Sequence, residues 1–326
     1  MQSRVNKILS ALTVILVVCC TGRKKNVPTA QPDRAFPTVN IPGAYIDPEE
    51  RAAYAAAHYW DGFFKGDGPT DSARVLGVPK AEVEQALSNY LAILSSLPLK
   101  DAQKDMSFLF DEIAAKQEAD TSSRVYLALT DMVSSYLYDP NSPLRDEDLY
   151  LPFVQKMAAS PLTRDDMRTA FEYEARMCAM NPRGSVAPDF LITTCNGTSI
   201  RLHSVKAEYS ILFFSNPGCH ACREIIEALQ GDELVQQMIA EGRLLVLNVY
   251  IDEDLKAWRD YMPIYPDTWL NGYDPIHIIR NDELYCVRAI PSLYLLDSGK
   301  RILLKDAPVE KIQQALAVSQ TAEVNP

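Results

Sequence analysis

Four things are missing from this 326-residue chain: an excess of basic charge, a second long hydrophobic run, an internal repeat and a second pair of cysteines at CxxC spacing. Its 32 lysines and arginines face 43 aspartates and glutamates, for a net charge of −11. Phosphate binding needs a basic face, so nucleic-acid partners are excluded, and the acidity serves solubility. With apolar character concentrated in a single stretch at the N-terminus, there is no candidate membrane span in the body of the chain. The absent second pair of cysteines at ligand spacing weighs against a zinc site. What remains is ordinary for a folded protein: 47% hydrophobic and 23% charged residues, in a chain long enough for two domains.

The N-terminal stretch has the grammar of an export signal. Arg4 and Lys7 precede an almost unbroken apolar run over residues 8–18, too short to span a bilayer comfortably and the right length for a signal-peptide core. The run ends at Val17-Val18-Cys19-Cys20, which resembles a bacterial lipobox. Cleavage before Cys20 leaves Cys19, smaller than Val18, at the −1 position, so Cys20 is the expected lipidated residue. Cys19 and an ordinary secretory signal stay open as alternatives. Residues 1–20 are therefore expected to be a lipoprotein signal peptide. Residues 21–48, with Pro28, Pro32, Pro37, Pro42 and Pro48, read as a tether. A lipid anchor puts the protein on the periplasmic face of a bacterial membrane, the outer membrane, where disulfide chemistry is available.

Residues 49–182 read as an all-helical domain of about six helices with no convincing strand. One helix covers 49–64 and closes on the aromatic cluster His58-Tyr59-Trp60-Asp61-Gly62-Phe63-Phe64. A second follows Pro79, with Val83, Leu87, Leu91 and Leu94 at helical spacing. Asp101 reads as the N-cap of a third, which carries Met106, Leu109, Phe110 and Ile113. Val125, Leu129, Met132, Val133 and Tyr136 mark a fourth, and Leu149, Phe153 and Met157 a fifth. Thr163 with Asp166 looks like a capping box opening a sixth.

From residue 183 to 326 the texture changes to alternating strands and helices. Strand-like runs fall at 190–194, 199–202, 210–215, 244–251, 292–296 and 301–304. Helical segments fall near 222–229, 233–240, 254–261 and 309–317. The continuous apolar runs at 211–214 and 244–249 predict central strands covered on both faces. A hairpin is expected to turn at Asp297-Ser298-Gly299-Lys300, before a closing helix. The fold class expected for the whole chain is thus α+β in two domains, an all-α N-terminal domain and a C-terminal α/β domain.

The chemistry concentrates in Ser215-Asn216-Pro217-Gly218-Cys219-His220-Ala221-Cys222-Arg223-Glu224, between a strand and a helix. Unpaired backbone N–H groups and the dipole at a helix start favour a thiolate at Cys219, the nucleophile. Cys222, one turn on, is placed to resolve a mixed disulfide. An imidazolium at His220 would stabilise that thiolate; an exposed histidine of small effect is the plainer alternative. For Cys286, on an apolar strand-like stretch, a buried structural thiol is the expected reading. A Cys178–Cys195 bridge between the domains stays open. Trp258 and Trp269 are expected in the core or at its rim.

The order strand, CxxC at a helix start, strand, helix and then Ala289-Ile290-Pro291-Ser292 before a strand pair and a helix resembles the thioredoxin fold. That resemblance implies a cis peptide before Pro291, facing the cysteine pair. Ala187-Pro188-Asp189-Phe190, the turn at Asn196-Gly197 and Leu202 narrow it to the TlpA/ResA-like membrane-tethered thiol-disulfide oxidoreductases. With His58-Tyr59-Trp60-Asp61, the 138–145 stretch and Leu293-Tyr294-Leu295-Leu296-Asp297, the chain also resembles lipoproteins of anaerobic Gram-negative bacteria. In those, a helical domain of unknown function precedes the thioredoxin-like module. The resemblance implies catalysis by Cys219, Cys222 and Pro291, with no cofactor and no metal. It also implies partners that are client thiols or disulfides and a redox partner.

Three positions depart from that pattern. Gly218 stands where thioredoxins have tryptophan, Phe213 where they bury an aspartate, and Ile225 where TlpA/ResA-like proteins often carry a glutamate. Glu224 and Glu227 are the candidate substitutes for the missing proton acceptor. These departures keep alive the rival reading, a non-catalytic binding or assembly lipoprotein that uses the fold as a scaffold. A peroxidase is disfavoured, since Asn216 occupies the position where peroxiredoxins have threonine or serine. The direction of electron flow is not encoded in any of these residues.

Overall fold

Apolar residues at three- and four-residue spacing build the first half, and a computed structural model describes residues 33–324. Cys20 and the signal-like run lie outside the described residues. The helices are α1 (Pro48–Ala57), α2 (Asp61–Phe64), α3 (Lys80–Ser95), α4 (Leu99–Ala119), α5 (Val125–Leu137), α6 (Glu147–Ala159) and α7 (Asp165–Ala179). Asp47 caps α1, its carboxylate accepting from the N–H groups of Glu49 and Glu50 at 2.9 and 3.1 Å. Met106, Phe110 and Ile113 of α4 meet Leu129 and Val133 of α5 and Phe153 and Met157 of α6 in one core.

Several local expectations need correction here. The single helix expected over 49–64 breaks after Ala57, and the break turns Trp60, Phe63 and Phe64 inward, where Phe36 packs 5.4 Å from the rings of Trp60 and Phe63. A small hairpin, β1 (Arg74–Val75) and β2 (Val78–Pro79), stands where no strand was expected. Its turn residues Leu76 and Gly77 both have positive φ, a geometry that an Asn-Gly pair would have announced and a leucine hides. Helix α4 opens at Leu99, so Asp101 sits in its first turn, favourable to the dipole, and is not the cap. Thr163 caps nothing: its hydroxyl donates to the Met157 carbonyl at 2.6 Å and meets the Tyr126 hydroxyl at 2.7 Å.

The second half is one mixed sheet with helices on its faces. In chain order come β3 (Leu191–Thr194), β4 (Ser199–Arg201), β5 (Tyr209–Phe214), α8 (His220–Gly231), α9 (Glu233–Ala240) and β6 (Leu244–Tyr250). Then follow α10 (Leu255–Tyr261), β7 (Leu270–Tyr273), α11 (Ile278–Asn281), β8 (Ser292–Leu296), β9 (Ile302–Leu304) and α12 (Val309–Val324). Spatially the strands run β4-β3-β7-β6-β5-β8-β9, with β5 parallel to β6 and antiparallel to β8. The two-residue strand period sorts the side chains cleanly. Ile211, Phe213, Leu293 and Leu295 face one core with α8, α9 and α12, while Leu212, Phe214, Tyr294 and Leu296 face the other.

Strand β7 was not among the strands expected from the sequence pattern. In the fold Gly272 lies flat against β3, where a Cβ would overlap the Ile192 side chain, so the glycine marks a close approach of strands. Among the described residues no helix is long and apolar enough to cross a membrane.

Where the helical half meets the sheet, the contact is charged and buried. Arg145, Arg183, Arg288 and Lys305 pair with Asp146, Glu147, Asp148 and Asp306. Glu147 and Asp148 are each 2% exposed and open α6. Glu147 receives Arg288 on one oxygen and Lys305, at 3.0 Å, on the other. Lys305 also donates to the carbonyls of Cys178 and Met180 at 2.7 and 2.6 Å. Burial alone would lower the Lys305 ammonium, but Glu147 and Asp148 outweigh it and hold it raised. Burial pushes the Asp306 carboxyl up, helped by Glu147 and opposed by Arg288 and Arg145.

Two stability predictions follow from this seam. Glu147→Ala leaves two buried cations short of their counter-charge and is expected to cost about 3–5 kcal/mol, read by urea unfolding. The thiols of Cys178 and Cys286 are raised, chiefly by burial, and burial likewise raises Tyr285 and Tyr294. A raised group keeps its proton in the fold after the unfolded chain has lost it, so stability is retained below and lost above the ordinary thiol and phenol range. The melting temperature should therefore fall between about pH 8 and pH 10.5, and a flat profile there would contradict the burial of these groups.

Candidate active site

The site is assembled where β5 ends. Its last residue, Phe214, pairs with Ser292 at the start of β8, so Pro291 lies at the same end of the sheet as the loop leading to Cys219. The Ile290–Pro291 peptide is cis. In the loop after β5, the Asn216 amide donates to Asp252 at 2.6 Å, and Arg280 holds the other oxygen of that carboxylate at 2.9 Å. The chain turns at Gly218, whose φ of +73° lies in the left-handed region. Helix α8 then begins with Cys219 as its N-cap, the sulfur accepting from the Cys222 N–H at 3.1 Å.

Cys219 and Cys222 are joined as a disulfide with Cα atoms 5.2 Å apart. Their exposure differs: Cys222 is 2% exposed, and Cys219 is only half-buried. Ile225, Ile226 and Leu229 anchor the helix in the core beneath them. A partner sulfur can therefore reach Cys219 before Cys222, and a Cys219 thiolate would sit at the positive end of a helix dipole.

The residues expected to tune the pair, His220 and Glu224, form a surface pair. His220 Nδ1 lies 3.5 Å from Glu224, with the two side chains 86% and 65% exposed. Such a pair is screened by solvent and has little influence on its own. Glu227 is also exposed, while Ile225 and Phe213 are buried.

Beneath the cysteines the buried polar groups are neutral. The Ser215 hydroxyl donates to the Asn248 side chain, whose amide donates to Asn271 at 3.0 Å, and Asn271 in turn donates to the Pro266 carbonyl at 3.0 Å. The Tyr265 hydroxyl lies 3.4 Å from Ser215, and burial raises its phenol. This chain crosses β5, β6 and β7. Sequence reasoning missed it, although Asn248 within the apolar run 244–250 was a signal.

Trp258 and Trp269 are both core residues, Trp258 stacked on Tyr250 and Trp269 set edge-on to Phe213. Cys286 is fully buried as expected, but in an irregular segment and not a strand, its sulfur 3.4 Å from Glu147. The Cys178–Cys195 bridge does not form. Cys178 is buried at the end of α7 beside the charged seam, whereas Cys195 is exposed in the turn between β3 and β4, and both are free. A hollow of about 700 Å³ in the helical half, lined in part by Glu84, Asp131, Met167 and Glu174, had no marker in the sequence pattern.

A sheet of this order, with a cysteine pair at the start of the helix after β5 and a cis-proline at the same end of the sheet, defines a thioredoxin-like module. The chain belongs to the family described as "Domain of unknown function (DUF5106)", whose model matches residues 10–178. A thioredoxin-like protein from Bacteroides caccae is 36% identical with a TM-score of 0.72, the match covering 87% of this chain and 99% of that one. The C-terminal domain of an uncharacterized protein from Bacteroides fragilis is 44% identical over 42% of this chain and 98% of its own, at a TM-score of 0.41. A thiol:disulfide interchange protein from a Bacteroides species is 21% identical over 41% of this chain and 87% of its own, at 0.36. The comparison with curated proteins found no match. The match to the Bacteroides caccae protein, over 87% of this chain, spans both its helical half and its α/β half.

The glycine at 218 is explained by its backbone. A Cβ there would meet nothing within 4 Å, so the cost of a side chain is conformational alone. Gly218→Ala is expected to destabilise the protein by about 1 kcal/mol, measured by urea unfolding; a stabilising substitution would contradict the left-handed turn.

Proposed function

We propose that the protein is a membrane-tethered, extracytoplasmic thiol-disulfide oxidoreductase that reduces or exchanges disulfides in client proteins. The observation that carries this reading is the unequal exposure of Cys219 and Cys222 at the first turn of α8. The reduced Cys219 thiolate attacks one sulfur of a client disulfide. A bond forms between Cys219 and that sulfur, the client S–S bond breaks, and the second client sulfur leaves as thiolate. Cys222 then gives up its proton and attacks Cys219, which re-forms the Cys219–Cys222 disulfide and releases the first client sulfur. Two electrons pass to the client, whose sulfurs take up two protons. A redox partner restores the dithiol, or runs the sequence in reverse when the protein serves as an oxidant.

Pro291 shapes the groove beside the pair, and His220 and Glu224 adjust its electrostatics at the surface. In this reading residues 49–182 and 183–326 are the two domains, the tether expected over 21–48 ends before Arg34, because Phe36 packs on Trp60 and Phe63, and Cys20 is the lipidated residue that holds the protein to the periplasmic face of the outer membrane. No cofactor takes part.

Cys219→Ser should abolish exchange with a disulfide-bonded peptide, whereas Cys222→Ser should trap a mixed disulfide that non-reducing electrophoresis detects. Exchange persisting in Cys219→Ser would refute the mechanism. Thiol trapping of the Cys219–Cys222 pair in glutathione buffers gives the direction: a potential near about −270 mV marks a reductase and one near about −120 mV an oxidant.

A further inference from the structure

Residues 283–291 lead from α11 into Pro291, and they have almost no backbone support of their own. Among the described residues the backbone–backbone hydrogen bond found inside this stretch runs from the Val287 N–H to the Tyr285 carbonyl. A segment of this kind would ordinarily fluctuate, because its peptide groups have no ladder to join. Side chains hold it instead, and most of them come from the helical half.

Arg288 is the principal tie. Its guanidinium donates to the Glu147 carboxylate at the start of α6, to the Tyr138 carbonyl just after α5, and to Asp306 at 2.8 Å. Its Cζ lies 4.1 Å from the centroid of the Tyr138 ring, and the side chain is 8% exposed. A planar, forked cation satisfied at its edge and over its face has one available geometry. Asn181, after α7, accepts from the Cys286 N–H at 3.0 Å and donates to the Leu284 carbonyl at 3.1 Å. Arg176 of α7 reaches Glu283 at 2.6 Å on the surface. From the sheet side, Tyr294 donates to the Cys286 carbonyl at 2.8 Å and Tyr285 to the Pro188 carbonyl at 2.6 Å.

Arg288 precedes Pro291 by three residues, no more than about 11 Å of extended chain. Arg288 and Glu147 have no hydrogen bond or ion pair to Cys219 or Cys222 among the described residues, so a role at the site has to pass through the loop.

We propose that Arg288 is a positioning residue for the disulfide exchange. The helical half serves the site by holding residues 283–291, through Tyr138, Glu147, Arg176 and Asn181, in register with Cys219. This rests on the exchange reading given above and adds a role for the helical family domain: it is the back wall of the substrate-facing loop. A polypeptide client that lies along this loop depends on the loop's position. A small aryl disulfide, which needs only the Cys219 sulfur, does not.

The experiment compares the two substrates on the full chain. Arg288→Lys keeps the buried charge and loses the fork, and thermal unfolding verifies that it folds. It should raise KM for a disulfide-bonded peptide about tenfold with kcat changed far less, and lower the peptide-to-aryl ratio of kcat/KM by a similar factor. An unchanged ratio, or equal losses on both substrates, would overturn the proposal. Should Arg288→Lys fail to fold, Arg176→Ala at the exposed tie decides: a rise of about twofold in peptide KM supports the proposal and no rise overturns it. A wild-type protein inactive on both substrates would instead sink the exchange reading itself.

Discussion

The structure depends on a buried ionic seam. Four carboxylates at Asp146, Glu147, Asp148 and Asp306 meet four cations at Arg145, Arg183, Arg288 and Lys305 along the junction of the helical half and the sheet. Desolvating such groups is expensive, and apolar residues of similar volume could hold the halves together at lower cost. What apolar contact cannot supply is direction. Each guanidinium here engages named oxygens, so the halves meet in one register. The register is set at the N-terminus of α6, where two buried acids also suit the helix dipole.

That constraint reaches the candidate site through a short path. Glu147 grips Arg288, and the same stretch of chain ends at Pro291, beside the end of β5 that carries the cysteine loop. In the positioning role proposed for Arg288, the helical half serves the site by holding its frame. Around the cysteines the charge lies at the surface, in the His220–Glu224 and Arg280–Asp252 pairs. Phe213 and Ile225 fill positions where related folds place carboxylates, and the buried polar groups form a neutral chain from Ser215 through Asn248 to Asn271. Ionisation of a reduced Cys219 would then rest on the helix N-terminus and on solvent more than on an internal acid or base.

The family assignment joins two parts with different histories of explanation. The sheet and its cysteine pair come with chemistry attached, whereas the helical half is known by its pattern alone. The fold treats them less separately than that contrast implies, because the described chain from Arg34 onward clusters as one unit by its contacts. Cys178 and Cys286, which come from opposite halves, are both buried free thiols along the same seam.

Much of this was legible in the order of residues. Continuous apolar runs at 211–214 and 244–249 located two central strands, because a strand covered on both faces has to be apolar throughout. The CxxC at a strand-to-helix turn, with Ile290-Pro291 ahead of the next strand, gave the thioredoxin-like half and its candidate residues. Local signals failed where tertiary contact outweighed them. Asn271-Gly272 carried no strand signal and lies in a strand pressed against Ile192; Leu76-Gly77 concealed a hairpin; Thr163 spent its hydroxyl on Met157 and Tyr126 instead of capping a helix. The sequence by itself determined the strand period, the helix faces and the placing of Cys219 at a helix start, since each depends on neighbours within a few positions. Only the tertiary structure decided that Glu147 and Arg288, 141 positions apart, form a buried pair, and that Gly218 turns through a left-handed conformation ahead of Cys219. Pairings across that distance leave no periodicity along the chain, because they are fixed by how the two halves pack.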